Sequence, residues 1–227
     1  MEEFRRVEIK YLIDENKYKK LKEELNSYIK PDLYFKSIIC NIYFDNDDYE
    51  LINKSIDKPI YKEKVRLRSY NIPNSNSDVY LEVKKKYEGV VGKRRIKAKL
   101  KDINDYLYNN KKLDESVNYN EINNVIKRNN LKPKIYVAYN REAYVGIENK
   151  SLRITFDSNL RTRFDNLDLS KGDNGILYFD KPMYIVEIKT LDSIPLFLSN
   201  ILTKLKIYPT SFSKVGSIYE KGSLINV

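Results

Sequence analysis

The chain has no histidine and only one cysteine, Cys40. A single thiol cannot form an internal disulfide, and without histidine a mixed Cys/His zinc site is excluded. The same absence removes Ser-His-Asp and Cys-His nucleophilic catalysis. Acid–base chemistry must therefore use Asp, Glu, Lys or Tyr, or the reaction must need little of it. Phosphoryl transfer is such a reaction, because positioning and charge neutralisation carry most of it. Long apolar runs are missing too. Nothing approaches the roughly 20 apolar residues of a bilayer span, and the longest apolar helical stretch, Ile194 to Leu205, is broken by Ser, Asn, Thr and Lys. The opening MEEFRRVEIKYLID is charged and has no signal-peptide apolar segment. These features predict a soluble, cytoplasmic protein.

What is present is charge and tyrosine. The 227 residues suit one domain, 1–227, better than two. Hydrophobic residues make up 41% and charged residues 33%, but 20 Tyr and 8 Phe supply large apolar bodies for a core. The formal net charge is +10, with a pI near 9.3. A cationic surface or cleft attracts polyanions: nucleic acid, phosphorylated metabolites, polyphosphate or anionic membranes. Charge alone does not choose among them.

The dominant pattern has period two, which marks strands. Here apolar residues alternate with charged ones. Lys62, Lys64, Arg66, Arg68 and Tyr70 fall on one face, opposite Glu63, Val65, Leu67 and Ser69. Tyr80, Glu82, Lys84 and Lys86 oppose Val79, Leu81 and Val83. After a turn at Glu88-Gly89, Lys93, Arg95, Lys97 and Lys99 oppose Ile96 and Ala98. Residues 4–13 place Arg6, Glu8 and Lys10 together; 152–157 and 184–189 repeat the alternation, and 37–45 reads as a more apolar strand. Helices are predicted after an Asp14 N-cap up to Pro31, over 119–130, and around Leu198–Leu205 before Pro209, with loops at 71–77 and 165–182. Antiparallel strands that each carry a charged face require an architecture giving those faces a shared interior. The expected fold is therefore α+β, a closed antiparallel β-barrel whose charged interior forms a tunnel, with helices outside.

Along this pattern runs a succession of short motifs: Arg6-x-Glu8-x-Lys10-Tyr11, Arg66-Leu67-Arg68, Glu82-Val83-Lys84, Lys93-x-Arg95, Tyr139-Asn140-Arg141, Arg153-Ile154-Thr155-Phe156-Asp157, Glu187-Ile188-Lys189 and Ser213-Lys214. Each is common alone; their order and spacing resemble the catalytic domain of vacuolar transporter chaperone (VTC) proteins, of the triphosphate tunnel superfamily. The resemblance implies a polymerase that moves the γ-phosphate of ATP onto inorganic polyphosphate, with a divalent metal, Mn²⁺ or Mg²⁺. It makes Lys10, Arg66, Arg68, Lys84, Lys189 and Lys214 catalytic cations. Lys93, Arg95, Tyr139, Arg141, Arg153 and Ser213 become phosphate-binding residues, and Glu187 and Glu8 metal ligands.

Glu82 is expected to pair with a cation, Lys85, Lys86, Lys97 and Lys99 to be solvated or at a tunnel mouth, and Arg94 to point outward with Ile96. Arg6 stands where the wider superfamily often has Glu, which argues against a two-metal triphosphatase. Arg141 shares its phase with Ile135, Val137, Ala143 and Val145, so either a bulge intervenes or it leaves the charged face. Hydrolysis of tripolyphosphate or nucleoside triphosphates, and polyphosphate or RNA binding without turnover, are the competing functions. Nucleic acid is not the expected partner, because most tyrosines sit at apolar positions. Coupling to transport would require membrane-protein partners.

Overall fold

The computed structural model describes residues 6–57, 59–88, 90–191 and 193–223. The expected strand start at residues 4–5 and Gly89 of the expected turn lie outside them. The elements are β1 (Arg6–Asp14), α1 (Glu15–Leu25), β2 (Ile29–Asp45), α2 (Glu50–Ile56), β3 (Tyr61–Tyr70), β4 (Asp78–Tyr87), β5 (Val90–Lys99), α3 (Leu100–Asn109), α4 (Val117–Arg128), β6 (Lys132–Gly146), β7 (Arg153–Arg163), β8 (Ile176–Leu177), β9 (Met183–Leu191), α5 (Leu196–Lys204) and α6 (Lys214–Ser223). No helix among the described residues is long and apolar enough to cross a membrane.

The fold is α+β with an antiparallel sheet, but the expected closure into a barrel is corrected. The strands are hydrogen-bonded in the order β1-β9-β7-β6-β2-β3-β4-β5, with β8 on β7. This is an open path whose ends, β1 and β5, are not paired with each other among the described residues. The edges show why. The outer edge of β1 is already taken: Tyr11 bridges Pro209, and Thr210 N donates to Lys10 O at 2.8 Å. On β5, Gly92, Lys93 and Arg94 are exposed, and charged side chains are a usual means of blunting a strand edge. Period two sets the face of each residue, not whether the outermost strands meet.

The chain divides into two compact units, each assembled from separated stretches. The first comprises Met1–Ser37, Tyr139–Leu160 and Leu177–Ser213. In it β9 lies between β1 and β7, both antiparallel to it. Tyr11, Ile154, Phe156, Val186 and Ile188 share one apolar cluster with Leu21 and Leu25 of α1 and Leu198 and Leu202 of α5. Of their intervening neighbours, Lys10 and Thr155 are both cross-strand partners of Glu187, so the charged face follows from the apolar one.

The second unit comprises Ile38–Ala138, Arg161–Ile176 and Lys214–Val227. Its β3-β4-β5 meander runs antiparallel beside the later part of β2. Val65, Leu67, Val79, Leu81, Val83 and Ile96 share a core with Ile103 and Tyr106 of α3 and Ile122 and Val125 of α4. The predicted loop 165–182 holds a short 3-10 turn, Leu169–Lys171, and β8. Arg163 orders the part of it in this unit. It donates to the carbonyls of Asn166, Asp168, Gly172 and Asn174, with its guanidinium 3.6 Å from the Tyr136 ring centroid.

Asp14 caps α1 by accepting from Lys17 N at 2.8 Å. The helix ends at Leu25, earlier than Pro31 predicts; Tyr28 N donates to Leu25 O at 2.9 Å, and Pro31 sits exposed inside β2. Asp14→Ala is expected to lower the unfolding free energy by about 1 kcal/mol, and Asp14→Asn by much less. Urea denaturation of the three proteins measures this, and equal losses for both substitutions would show that the cap contributes nothing.

Candidate functional site

In the second unit the meander lays its charged residues in cross-strand rows. One row runs Tyr43–Arg66–Glu82–Arg95, the next Asn41–Arg68–Tyr80–Lys97, and a third Lys64–Lys84–Lys93. Glu82 is the anchor, only 2% exposed. Arg66 Nε donates to its Oε2 at 2.8 Å, Lys93 Nζ lies 2.7 Å from its Oε1, and Arg95 joins the same oxygen. Burial pushes the Glu82 carboxyl up, but the charges of Arg66, Lys93 and Arg68 outweigh it and hold the group down at about 2. Arg68 is itself buried; its Nε donates to Asn41 Oδ1 at 2.8 Å, and Asn41 Nδ2 donates to Val137 O at 3.0 Å.

The rows carry more positive charge than Glu82 can neutralise. Burial, together with the Arg95 and Arg66 guanidiniums, holds the Lys93 ammonium below its usual range despite its carboxylate partner. Tyr43 reports the same field. Burial alone would raise its phenol, yet Arg66, Arg68 and Lys64 bring it down to about 8, and Arg66 Nη1 donates to its oxygen at 3.4 Å. Like charges directly opposite one another, as in Lys64–Lys84–Lys93, destabilise a sheet.

The first unit holds a second array, built around Glu187, which is 8% exposed. Lys10 and Thr155 are its cross-strand partners, while Glu8 and Arg153 flank Lys189 in the adjacent row. Lys10 Nζ lies 3.9 Å and Lys189 Nζ 3.5 Å from the Glu187 carboxylate, and both also approach Glu8, at 3.9 and 3.6 Å. Arg141 clamps Asp157 with two bonds of 2.7 and 2.8 Å and reaches Glu187 at 3.7 Å, its guanidinium 5.3 Å from the Tyr139 ring. No bulge is needed to bring it there. Tyr136, Ala138 and Tyr144, of the opposite parity on β6, are the residues that join the apolar cores. Lys10 Nζ also donates to Phe212 O at 3.3 Å.

Two sets of predicted residues are thus brought together: Arg66, Arg68, Lys84, Lys93 and Arg95 in one unit, Glu8, Lys10, Tyr139, Arg141, Glu187 and Lys189 in the other. Arg153 is half-exposed and ion-paired with Asp32. Ser213 follows Phe212 in the first unit, and Lys214 opens α6 in the second. Lys85 and Arg94 bind Glu121 on α4, while Lys97 and Lys99 share Asp78. The side chain of Arg6 lies outside the described residues. Sequence reasoning missed Tyr43, Asn41, Asp157 and Thr155. Asp157, sharing strand parity with Arg153 and Thr155, is the one the pattern could have assigned a role.

The donor set of the first array suits a hard divalent cation held jointly with phosphate oxygens. Glu8 and Glu187 supply carboxylates, and Thr155 Oγ1, cross-strand from Glu187, is buried with no hydrogen-bond partner among the described residues. Those residues contain no group of three or more acidic or cysteine side chains that would cage a metal by themselves. One or two carboxylates plus substrate phosphates are the usual holding for such an ion.

This arrangement of strands has known counterparts. The chain matches a Bacillus halodurans structure with TM-score 0.56 at 14% identity over 92% of this chain and 93% of that one. It also matches a Hippeastrum protein, whose dominant activity is that of a triphosphatase, with TM-score 0.56 at 16% identity over 96% of each. The chain is thus similar in fold to these neighbours over nearly its whole length, with its own sheet left open. Residues 5–221 match the VTC domain, and the chain belongs to that family. Similar curated proteins are vacuolar transporter chaperone complex subunit 2 of Saccharomyces cerevisiae, 29% identical over 152 residues, and subunit 4 of Trypanosoma cruzi, 26% identical over 189 residues. The matches cover 56% and 67% of this chain but 18% and 23% of those proteins, so the chain spans less than a quarter of the relatives' length.

Glu82→Gln should destabilise the protein by about 3–5 kcal/mol near neutral pH, because it leaves a crowd of cations without their buried counter-charge. The folded-state carboxyl lies below its ordinary 4.5. Its contribution is therefore fully present above about pH 4.5 and fades as pH falls towards about 2. Denaturation from pH 7 to pH 3 should show the two proteins converging at the acid end. A constant gap would mean that the loss comes from packing rather than from charge.

Proposed function

We propose that this chain is a polyphosphate polymerase that transfers the γ-phosphoryl group of ATP to the end of an inorganic polyphosphate chain. The observation that supports the reading is the second unit's set of cation rows, drawn together around the buried Glu82. Belonging to the VTC domain family supports a phosphate-transferring or triphosphate-hydrolysing enzyme of this kind.

In the reaction the bond between the γ-phosphorus and the oxygen bridging to the β-phosphate breaks. A bond forms between that phosphorus and a terminal oxygen of the acceptor, and ADP leaves. Charge builds on the bridging oxygen as it departs, and fixed cations stabilise it without reorganising. Arg66 and Arg68, their Nε atoms held by Glu82 and Asn41, are set to present guanidinium edges to phosphate oxygens, a geometry suited to bidentate contact. Lys84 and Lys93 act as point charges along the phosphate chain, with Arg95 beside them. In the first unit Lys10, Lys189 and Arg141 bind phosphate oxygens, and Tyr139 buttresses Arg141. Ser213, Lys214 and Arg153 add further contacts. Glu187 and Glu8, with Thr155 Oγ1, would hold a divalent metal, Mn²⁺ or Mg²⁺, which neutralises phosphate charge when bound. Partner subunits that include membrane proteins fit the relatives, which are subunits of a complex.

Incubation of the purified protein with ATP and Mn²⁺, resolving long-chain polyphosphate, orthophosphate and ADP, tests this. Chain growth with ADP release is expected, reduced at least 100-fold in Arg66→Ala and in Glu187→Ala. A step that relies on electrostatic stabilisation loses about this much when one fixed donor is removed. Orthophosphate without polymer would replace the polymerase by a hydrolase, and anion binding without turnover by a polyphosphate-binding module.

A further inference from the structure

The charged face of the second unit is not the same at its two ends. Tyr70, the last residue of β3, shares a face with Arg68 and Arg66, two and four residues back along the strand. Its ring is 44% exposed and stands edge-on to Tyr80, with centroids 5.7 Å apart. Tyr80 is in turn covered by the Arg95 guanidinium, 4.4 Å from its centroid. At the other end of the same face stand Lys62 and Lys86, a directly opposed pair. The tyrosines at that end, Tyr61 and Tyr87, are paired one register step away and so point to the opposite side of the sheet. One end of the cation rows therefore carries aromatic rings beside the Asp78–Lys97–Lys99 cluster, while the other carries lysine without an aromatic on the same face.

We infer that Tyr70 is a stacking platform for a nucleobase, so that a nucleoside triphosphate lies on this face with its base at Tyr70 and its terminal phosphate towards the Lys64–Lys84–Lys93 row. The inference rests on the phosphate-binding reading above and adds where the donor's base sits and the direction in which its phosphates run.

The spacing fits. Residues two apart on a strand are separated by about 7 Å, so a base on Tyr70 brings the ribose and first phosphate beside Arg68 and the following phosphates to Arg66 and the lysine row. The platform is also rigid. Immediately after it Asn71 turns the chain with φ of 64°, its N donates to Ile38 O at 2.7 Å, and its Oδ1 accepts from Ile38 N at 3.0 Å. The Tyr70 phenol faces cations: burial would raise it, but Arg68 and Arg95 draw it down. The ring packs edge-on against Tyr80, while its exposure leaves room for a stacking partner. Base stacking on an aromatic tolerates any base, because every base has a π-face. Preference among nucleotides should be weak.

Calorimetric titration of the whole chain with ATP and, separately, with inorganic tripolyphosphate tests the inference, using wild type, Tyr70→Leu and Tyr70→Phe. Tyr70→Leu should weaken ATP binding about 5- to 30-fold, the loss of one base stack, while changing tripolyphosphate binding less than twofold. Tyr70→Phe should keep ATP affinity within about threefold, since the ring remains. Equal effects of Tyr70→Leu on both ligands, no effect on either, or an equal loss in Tyr70→Phe would overturn the platform while leaving the phosphate site standing. Failure of wild type to bind either ligand would overturn the phosphate-binding reading, and the platform with it.

Discussion

Mutual repulsion among cations is the constraint around which both charged arrays are built. Strand geometry places side chains of neighbouring strands within about 5 Å of each other, and these strands present lysine and arginine at position after position. Three buried carboxylates, Glu82, Glu187 and Asp157 (which clamps Arg141), make this tolerable. Glu82 draws Arg66, Lys93 and Arg95 to itself, and Glu187 gathers Lys10, Lys189 and Arg141. Each is deeply buried on the charged side of strands whose alternate residues enter an apolar core. That core supplies the stability the charges do not, through Val65, Leu67, Leu81 and Val83 in one unit and Ile154, Phe156, Val186 and Ile188 in the other. The carboxylates hold these cations oriented and in part withdrawn from water, which is where their electrostatic effect is strengthened.

The faces of the strands were legible in the sequence because a period of two is a local property. Arg66, Arg68, Glu82, Lys93 and Arg95 fall where alternation puts them, as do Glu187 and Lys189. Closure of the sheet was not legible, because edges are decided by remote segments; the outer edge of β1 is occupied by Pro209 and Thr210, two hundred residues away in the chain. The missed helices have the same kind of explanation. No cap next to α2 announces it: Asp45, six and seven residues earlier, accepts from Leu51 N and Ile52 N. α3 follows β5 directly from Lys99, with no capping side chain at all.

Arg141 shows how a sound rule misleads when its premise fails. Ile135 and Val137 predict the apolar side of β6, yet both are fully buried outside the two apolar clusters while Tyr136 and Ala138 join one of them. The phase is continuous, and only the identity of the core face was mistaken. Tyr43 and Asn41 escaped notice for a related reason. On a strand buried along its whole later half, neutral residues carry no alternation to reveal which face holds the cations.

The fastening of Lys10 has a consequence for the order in which the molecule assembles. The second unit's rows come from the β3-β4-β5 meander, whose strands are neighbours in sequence, so they can form through short loops at little entropic cost. The first unit's array joins Lys10 to Glu187, and Lys10 is tied by its side chain to Phe212 and by its carbonyl to Thr210. Such distant contacts reward the chain only after most of it has been ordered. The arginine-rich rows are therefore closed mainly by contacts local in sequence, whereas the Glu187 array cannot close until residues as far along as Phe212 are in place.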